Sequence, residues 1–356
     1  MRTMLITLLA LAATNLATGA EPDFPPAPGK MNLPLSVTDF SGVNRLGDVV
    51  TGGVPLPRGL AKDVSTLRVV DAAGKPVPCQ FSVMDRWWSE ADPSVRWVLV
   101  DFIGEIYADE TVTYYLRDDG GPAAPPTPLK VSDEADKVTV ITGPLKFTVS
   151  KKAFNLFDEA WYDQNGDGEF GDAEKYVVSS PENGAGVTSG DWPDQGYKAG
   201  DKYCSSAKPP TKFMIEESGP CRVSIRVDGT HHAIQGGSPD GLYDYRTRIQ
   251  AYAGHPGVKV SYSISSMRAT AEWKTPPIQN FEVGTRVEFT GEHAAQFMLD
   301  PDHLANPPRY REGSAVNSAY GAVPDLWGRR VDDGRVTLYQ DSSGGEQWKD
   351  LLPNGY

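Results

Sequence analysis

Oxygen-bearing side chains recur at fixed spacing in the segment DQNGDGEFGDAE, residues 163–174. Counted from Asp163, this segment fills every required position of the twelve-residue loop D-x-[DN]-x-[DN]-G-x5-E. That loop binds Ca²⁺, which prefers six to eight oxygen ligands, and its sixth residue, here Gly168, makes the sharp turn. The predicted metal ligands are Asp163, Asn165, Asp167, Glu169 through its backbone carbonyl, and Glu174.

Two features distinguish this segment from a helix–loop–helix calcium site. The eighth position is Phe170, where loops that pair in tandem usually carry an aliphatic residue, and residues 175–178 after the loop have the β-type pattern KYVV. We therefore predict an isolated loop between strands, in which calcium has a structural role. The alternative is a solvated acidic turn of the Asn-Gly and Asp-Gly kind.

Histidine and tryptophan side chains are weaker candidates for a site. His231 and His232 are adjacent, so on a strand they point to opposite faces and cannot easily share a metal. Trp87, Trp88 and Trp97 lie close in sequence, and aromatic faces can stack on sugar rings. We expect them in a core, as is usual for large aromatic residues in a small β domain. No spacing of carboxylates and no nucleophile or dinucleotide motif identifies a catalytic or cofactor-binding residue.

The three cysteines leave two alternatives open. Cys204 and Cys221 would close a short disulfide loop in an exported protein, which leaves Cys79 over. Alternatively, all three are unpaired, buried thiols. No CxxC spacing is present, so a thiolate zinc site is not expected.

Short runs of β-branched and aromatic residues, separated by turn residues, dominate the chain after residue 35. Examples are VRWVLVDFI (95–103), CRVSIRVDG (221–229) and VKVSYSIS (258–265). With 36 Gly and 29 Pro, long helices are not expected. The pattern predicts an all-β protein with two domains. The predicted segments are a proline-rich leader at 21–34, a first domain at 35–119, a proline-rich linker at 120–130 and a second domain at 131–356 that contains the calcium loop.

The N-terminus and the net charge limit the location and the partners. Residues 1–20 combine Arg2, an apolar run and small residues before Glu21, which predicts a cleaved signal peptide and a secreted or periplasmic protein. No apolar run reaches the ~20 residues of a membrane-spanning helix. A net charge of −13 argues against nucleic acid as a partner.

The first domain resembles the N-terminal RIFT-barrel domain of exo-rhamnogalacturonan lyase-like proteins, the PcRGLX/YetA-like family. The resemblance lies in the Gly-Val-Pro-x-Pro-x-Gly segment from Gly53 to Gly59, in residues 71–78 and in residues 94–97. The segments 216–232 and 243–264 are similar to the family's central β-sandwich domain. The resemblance implies a RIFT-type β-barrel followed by a larger β-sandwich. Family members continue into a helical toroid that holds much of the catalytic cleft, so we expect either a fragment or a variant reduced to two β domains.

The activity that this resemblance implies is β-elimination on a rhamnogalacturonan backbone, with a polysaccharide or oligosaccharide as partner. Such a reaction needs a base beside a uronate carboxylate and a cation to offset its charge. Arg222, Arg226, Arg246 and Arg248 alternate along two predicted strands and could supply positive charge, although pairing with acidic neighbours is the favoured alternative. The second hypothesis for function is a non-catalytic, calcium-stabilised carbohydrate-binding or cell-surface protein.

Overall fold

The computed structural model describes the parts of the chain that carry most of the predicted strands. These are residues 6–7, 31–40, 42–87, 93–122, 124–180, 184–193, 196–236, 241–265, 277–285, 287–288, 294–295 and 329–330. The chain divides into two compact units, Met1–Thr285 and Arg286–Tyr356. Apart from Ile6–Thr7, the predicted signal peptide lies outside the described residues, as do Trp88 and residues 21–30 of the predicted leader.

The described residues form strands and one short 3-10 helix, which confirms the all-β class predicted from the sequence. In chain order the elements are β1 (Ile6–Thr7), β2 (Asn32–Thr38), β3 (Arg45–Pro55), β4 (Arg68–Val70), β5 (Pro76–Val77), β6 (Cys79–Arg86), β7 (Val95–Ile106), β8 (Thr111–Arg117), β9 (Lys130–Asp133), β10 (Lys137–Ile141), β11 (Leu145–Ser150), β12 (Glu159–Tyr162), the 3-10 helix (Asp172–Glu174), β13 (Lys175–Val177), β14 (Gly184–Ser189), β15 (Lys202–Cys204), β16 (Lys212–Ser218), β17 (Arg222–Thr230), β18 (His232–Gln235), β19 (Asp244–Tyr252), β20 (Val258–Ser265), β21 (Ile278–Gly284), β22 (Ala294–Ala295) and β23 (Arg329–Arg330).

Two antiparallel sheets surround the first hydrophobic core. One has the strand order β1-β2-β8-β4-β5 and the other the order β3-β7-β6. Strand β7 shows why they pack: Val98, Val100 and Phe102 are fully buried, and the residues between them point to the opposite face of the sheet. We call this cluster, which runs from Met31 to Leu116, the N-terminal core.

A second pair of sheets encloses the central core, which runs from Val138 to Ala251. Its strand orders are β13-β12-β11-β10-β9 and β16-β17-β19-β20, all antiparallel. A third sheet, β18-β15-β14-β21, covers a smaller cluster around Tyr203 and Leu242. In the second unit, β22 pairs with β23 in antiparallel fashion.

The segment predicted as a linker lies between the two cores and is attached to the central sheets. The Thr127 hydroxyl donates a hydrogen bond to the Pro220 carbonyl at 2.5 Å. Further along, Pro128 fills the space beside Gly143, where a Cβ atom would come within 3.3 Å of the proline ring. This end of the segment is therefore packed rather than extended into solvent.

The structure distinguishes between the two alternatives for the cysteines, a Cys204–Cys221 disulfide or three unpaired thiols. Cys79, Cys204 and Cys221 are all free thiols, so the alternative Cys204–Cys221 disulfide is absent. Cys204 and Cys221 are buried, as the second alternative predicts, whereas Cys79 is only half-buried, and burial raises the pKa of the Cys221 thiol. In the part of the chain that the structure describes, no helix is long and apolar enough to cross a membrane.

Substitution of Gly229 tests how closely the side chains of the central core are packed. Gly229 stands opposite Tyr245, whose buried ring lies over it, and a Cβ atom at Gly229 would come within 2.5 Å of Tyr245 Cζ. We predict that Gly229→Ala lowers the free energy of unfolding by about 1–3 kcal/mol through overpacking. Urea unfolding measures this, with Gly257→Ala as control, because a Cβ atom at Gly257 meets nothing within 4 Å. Equal stability of both variants would contradict the packing argument.

Candidate functional site

The loop at 163–174 adopts a tight series of turns centred on one carboxylate. Gly166 and Gly168 have φ values of 76° and 79°, as the predicted calcium loop requires at its sixth position. The Asp163 carboxylate accepts hydrogen bonds from the backbone N–H groups of Gly166 at 2.7 Å and Gly168 at 2.9 Å. Asp163 therefore organises the first half of the loop.

The last predicted ligand brings the two ends of the loop together. The Glu174 carboxylate accepts hydrogen bonds from the N–H groups of Gln164 and Gly171, both at 3.2 Å. Strand β12 precedes the loop, and the 3-10 helix and β13 follow it, so the exit into a strand is confirmed.

The five predicted ligands supply the oxygen chemistry that Ca²⁺ requires, but their side chains do not converge on one point. Asn165 donates a hydrogen bond to Asp167 at 2.9 Å, and Asp167 accepts another from the N–H of Glu169 at 2.8 Å. In the described ranges, no group of three or more His, Cys, Asp or Glu side chains is arranged to hold a metal ion. The donor set nevertheless fits calcium chemically, because it consists of carboxylate, amide and backbone oxygens.

Phe170, at the eighth position of the loop, connects the loop to the outer face of the central sheet. The Lys146 ammonium lies 5.6 Å from the Phe170 ring and 4.3 Å from the Trp161 ring. Lys175 lies 4.8 Å from Trp161 and donates to Glu159 at 2.7 Å. The departure from an aliphatic residue at this position thus has a structural role, because the aromatic ring packs on a cation that is held over a second ring.

The arginines that alternate along β17 and β19 share one face, as the sequence predicts. In the register of these strands, Arg226 stands opposite Arg248 and Asp228 opposite Arg246. Asp228 binds Arg226 at 2.5 Å and Arg246 at 3.1 Å. We call this surface the arginine face. It consists of Arg226, Asp228, Arg246, Arg248 and Glu216.

The favoured alternative, pairing with acidic neighbours, is confirmed on the arginine face. Glu216 binds Arg248 at 2.7 Å and lies 3.7 Å from Arg226. The hydrogen bond from Arg248 lowers the pKa of Glu216, and the hydrogen bond from Arg226 lowers the pKa of Asp228. Three guanidinium groups thus share two carboxylates, and the Arg246 and Arg248 side chains remain 53% and 44% exposed. The arginine face therefore has a net positive charge, although the protein as a whole has a net charge of −13.

Arg222, the fourth predicted arginine, has a different position from the other three. Its guanidinium is buried and binds Asp101 of β7 at 3.2 Å, and it also contacts the Glu217 carboxylate. Asp101 is fully buried and accepts a hydrogen bond from the Thr51 hydroxyl at 2.5 Å. Burial raises the pKa of Asp101, while the Thr51 hydrogen bond and the Arg222 charge act in the opposite direction.

Next to this ion pair, Gln80 joins the two cores through the backbone. Its side-chain oxygen accepts hydrogen bonds from the N–H groups of Cys221 at 3.0 Å and Arg222 at 2.8 Å. The outer face of the N-terminal sheet and the arginine face therefore meet at Arg222. Asp101 is not among the residues predicted from the sequence, although a lone carboxylate inside the apolar run VRWVLVDFI is the kind of signal that indicates a buried partner.

His231 is buried and is held as a neutral imidazole. Its Nδ1–H donates to the Tyr243 carbonyl at 2.8 Å, so the Tyr262 hydroxyl donates to Nε2 at 2.9 Å. Burial lowers the pKa of His231 to about 4 and raises the pKa of Tyr262. This pair is a structural hydrogen bond in an aromatic cluster. Only His231 is buried, while the neighbouring His232 is half-buried, as expected for adjacent residues on a strand.

The tryptophans differ from the expectation that they belong to the core. Trp87 is half-buried and its indole N–H donates to the Leu56 carbonyl at 3.1 Å. Trp97 is 42% exposed. For Trp97 the prediction of a core position is wrong, because Trp97 lies on the face of β7 opposite to Val98, Val100 and Phe102, which fill the N-terminal core.

A groove of about 510 Å³ lies between β4, β5 and residues 120–122 and 124–126. Its one charged lining residue, Arg68, is held by the Asp119 carboxylate, with Nη2 2.7 Å from Oδ2. The remaining lining is mostly proline and aliphatic side chains, together with the free thiol of Cys79, whose pKa is raised by burial.

The described residues form a modular all-β protein with several packed antiparallel sheets. Residues 129–272 match the family model described as "PcRGLX-like protein central beta sandwich domain". Residues 129–272 are thus similar to the central β-sandwich domain of PcRGLX-like proteins, and the resemblance seen in the sequence is confirmed over this segment. This matched segment contains the calcium-type loop, Arg222 and the arginine face.

Among solved structures, the chain is similar to a protein in the glycosyl hydrolase family 38 from Enterococcus faecalis. The identity is 14%, the TM-score is 0.47, and the match covers 74% of this chain and 34% of that chain. The chain thus spans about a third of that protein, and a likeness at this TM-score carries no argument about activity. A search of the curated proteins finds no match.

Substitution of Arg222 tests the contact between β7 and β17, where Arg222 binds Asp101. We predict that Arg222→Met lowers the free energy of unfolding by about 3–5 kcal/mol at neutral pH, because it leaves the Asp101 carboxylate buried without its partner. A buried, unpaired carboxyl has a raised pKa, so the native state binds the proton more readily than the unfolded state. The destabilisation should therefore shrink as the pH falls through that raised pKa.

Urea unfolding at pH 7 and at mildly acid pH measures this effect. The control is Arg96→Met, which breaks the Arg96–Asp85 pair, whose side chains are 55% and 56% exposed. A pair this exposed should contribute at most about 1 kcal/mol. A loss at Arg222 that is no larger than the loss at Arg96 would contradict the role of the buried pair.

Proposed function

We propose that this chain belongs to an exported polysaccharide-processing protein that acts on pectin-type polysaccharide of the rhamnogalacturonan class by β-elimination. The observation that carries the proposal is the PcRGLX-like domain match, which includes the arginine face. Export rests on the signal-type pattern at residues 1–20. In this proposal the described β-sheets bind and orient the acidic polymer.

The charge arrangement on the arginine face suits a uronate polymer. Arg246 and Arg248 each use their Nε and Nη2 groups on carboxylates of the protein, and both side chains remain about half exposed. The remaining guanidinium N–H groups point a planar set of donors at solvent, which matches the geometry of a sugar carboxylate. The fixed acids Glu216 and Asp228 hold the guanidinium groups in place before the ligand arrives.

The proposed chemistry explains why positive charge is needed beside the substrate. In β-elimination, a base removes the proton from the carbon that bears the uronate carboxylate. The electron pair forms a carbon–carbon double bond, and the bond to the leaving oxygen breaks as that oxygen takes up a proton. Negative charge builds on the carboxylate in the transition state, and a nearby cation stabilises it.

The alternative function is a carbohydrate-binding protein that does not cleave its ligand. The observation that favours it is the self-contained pairing on the arginine face, where each acid is already neutralised and holds a low pKa. Such carboxylates are weak bases, so they suit binding better than proton abstraction.

One experiment separates these functions. The protein is incubated with rhamnogalacturonan, and both complex formation and the absorbance of an unsaturated product are followed. We expect both binding and formation of the unsaturated product. Binding without product would leave the non-catalytic function, and no binding would end both proposals.

The arginine face predicts which substitutions weaken that binding. Arg246→Gln with Arg248→Gln should weaken binding of a rhamnogalacturonan oligosaccharide by about tenfold or more, because charge-assisted hydrogen bonds to a carboxylate are each worth about 1.5–3 kcal/mol. Titration calorimetry at low and high salt measures it. The control Lys152→Gln removes an exposed cation from the opposite sheet, where Lys152 pairs with Asp136 at 2.6 Å. An equal loss in this control would point to non-specific charge attraction.

We also propose that the loop 163–174 binds Ca²⁺ through the five predicted ligands. The support is the complete motif, the positive φ of Gly168 and the closure of the loop by Glu174. When bound, the ion would link the loop ends by metal–oxygen contacts. Extracellular sites of this kind bind at roughly 0.1–1 mM, which fits a structural role.

The calcium proposal predicts a metal-dependent gain in thermal stability. The melting temperature should rise by several degrees between chelator and millimolar calcium, and Asp167→Ala or Glu174→Ala should abolish this difference. Because Glu174 also holds backbone N–H groups, the decisive quantity is the calcium-dependent difference, not the absolute melting temperature. Asp172→Ala, at the tenth position of the loop, is the matched control and should keep the difference. The same melting temperature with and without calcium in the unaltered protein would refute the proposal.

A further inference from the structure

Strand β20 adds a further row of outward-pointing side chains to the arginine face. In the antiparallel register of β19 and β20, Ser263 stands opposite Arg246 and Ser261 stands opposite Arg248. Tyr262, between these serines, packs against the central core, so the serines point to the other face of the sheet, on which the arginines lie. Residues that face each other in this way have Cβ atoms about 4.5–5.5 Å apart. The two serine hydroxyls are therefore direct neighbours of the two arginines.

A lysine follows the serines along the same face of β20. Lys259 stands opposite Gln250 of β19, one row beyond Ser261, and successive rows on one face are about 7 Å apart. Lys259, Ser261 and Ser263 are all exposed. Among the residues that the structure describes, none of these three side chains has a hydrogen bond or ion pair to another. Strand β20 thus adds one cation and two hydroxyl groups that are free to bind a ligand.

The acids of the arginine face lie on the far side of the arginines from β20. Asp228 belongs to β17 and Glu216 to β16, and the strand order β16-β17-β19-β20 places both strands on one side of β19 and β20 on the other. Arg246 and Arg248 bind these acids through Nε and Nη2, so both Nη1 hydrogens of each guanidinium remain for a further acceptor. The sequence of β20, VKVSYSIS, contains no acidic residue. A carboxylate of a ligand is therefore repelled least on the β20 side.

The lengths of the side chains leave the space above β20 open. A serine side chain ends one atom beyond Cβ, whereas the Arg246 and Arg248 side chains are long and remain 53% and 44% exposed. The outward residues of β20 are one lysine and three serines. This row extends for about 20 Å along the strand. We call the surface formed by Lys259, Ser261, Ser263, Arg246 and Arg248 the β20 strip.

We propose that the β20 strip binds an acidic oligosaccharide lengthwise, with one carboxylate on Arg246 and Arg248 and a second carboxylate on Lys259. The hydroxyls of Ser261 and Ser263 exchange hydrogen bonds with sugar hydroxyls between these two points. Arg246 and Lys259 are two rows apart, about 14 Å along the strands, so the strip suits a chain of several sugars rather than one acidic sugar. This inference rests on the proposed function and adds to it the length and the spaced charges of the ligand.

The first test compares ligands of different length by titration calorimetry. A rhamnogalacturonan oligosaccharide with several uronates should bind more tightly than a disaccharide with one uronate. Lys259→Gln should weaken binding of the longer ligand about 2- to 5-fold, the effect of one exposed ion pair. The matched control is Lys130→Gln, which removes an exposed lysine from β9, the edge strand of the opposite sheet, and should leave binding unchanged.

The second test fills the space above β20. Ser261→Leu should weaken binding of the longer oligosaccharide about tenfold or more, because the larger side chain collides with a ligand that lies on the strip. Ser261→Ala, which removes only the hydroxyl, should keep most of the affinity. The matched control is Ser132→Leu, which makes the same change at an exposed serine of β9 and should have no effect.

The outcomes separate this inference from the proposed function. If the unaltered protein binds and both Lys259→Gln and Ser261→Leu bind equally well, the β20 strip is overturned while the function stands. Equal affinity for the disaccharide and the longer ligand, or equal losses in the β9 controls, also overturns the strip. If the unaltered protein binds neither ligand, the function and the strip both fall. Melting temperatures confirm that each variant is folded before its binding is compared.

Discussion

The arrangement of the two cores depends on one buried guanidinium. Arg222 is the first residue of β17, and it lies against Asp101 in the middle of β7. Removing either charge from water is costly, so each is tolerated only because the other lies beside it, with Thr51 and Glu217 completing the contacts. Gln80 adds directional backbone hydrogen bonds at the same place. Together these groups fix where the outer face of the N-terminal sheet meets the arginine face.

Much of the fold could be predicted because strand patterns are local. The runs VRWVLVDFI and CRVSIRVDG alternate with a period of two, and they became β7 and β17. The loop at 163–174 was also recognisable, because its residues are consecutive and its glycine takes the required positive φ. Whether its carboxylates gather around an ion depends on the ion itself, so neither the sequence nor the hydrogen-bonded loop decides it.

The contacts between distant segments could not be predicted in the same way. Asp101 and Arg222 are separated by 121 residues, and nothing in their local patterns says that they pair. Trp97 shows the same limit, since its exposure depends on which face of β7 the core occupies and on what packs against the other face. The arginines were correctly placed on one face because that follows from alternation alone, and their pairing with Glu216 and Asp228 follows from the strand register.

The attachment of the segment between the cores has a mechanical consequence. Thr127 is held by Pro220, and Pro128 packs beside Gly143, so the connection ends in fixed contacts just before β9. Since Arg222 is joined to Asp101 only two residues beyond Pro220, the same short stretch anchors the connecting peptide and the ion pair. Because the two cores share these contacts, they should unfold in one cooperative transition rather than independently.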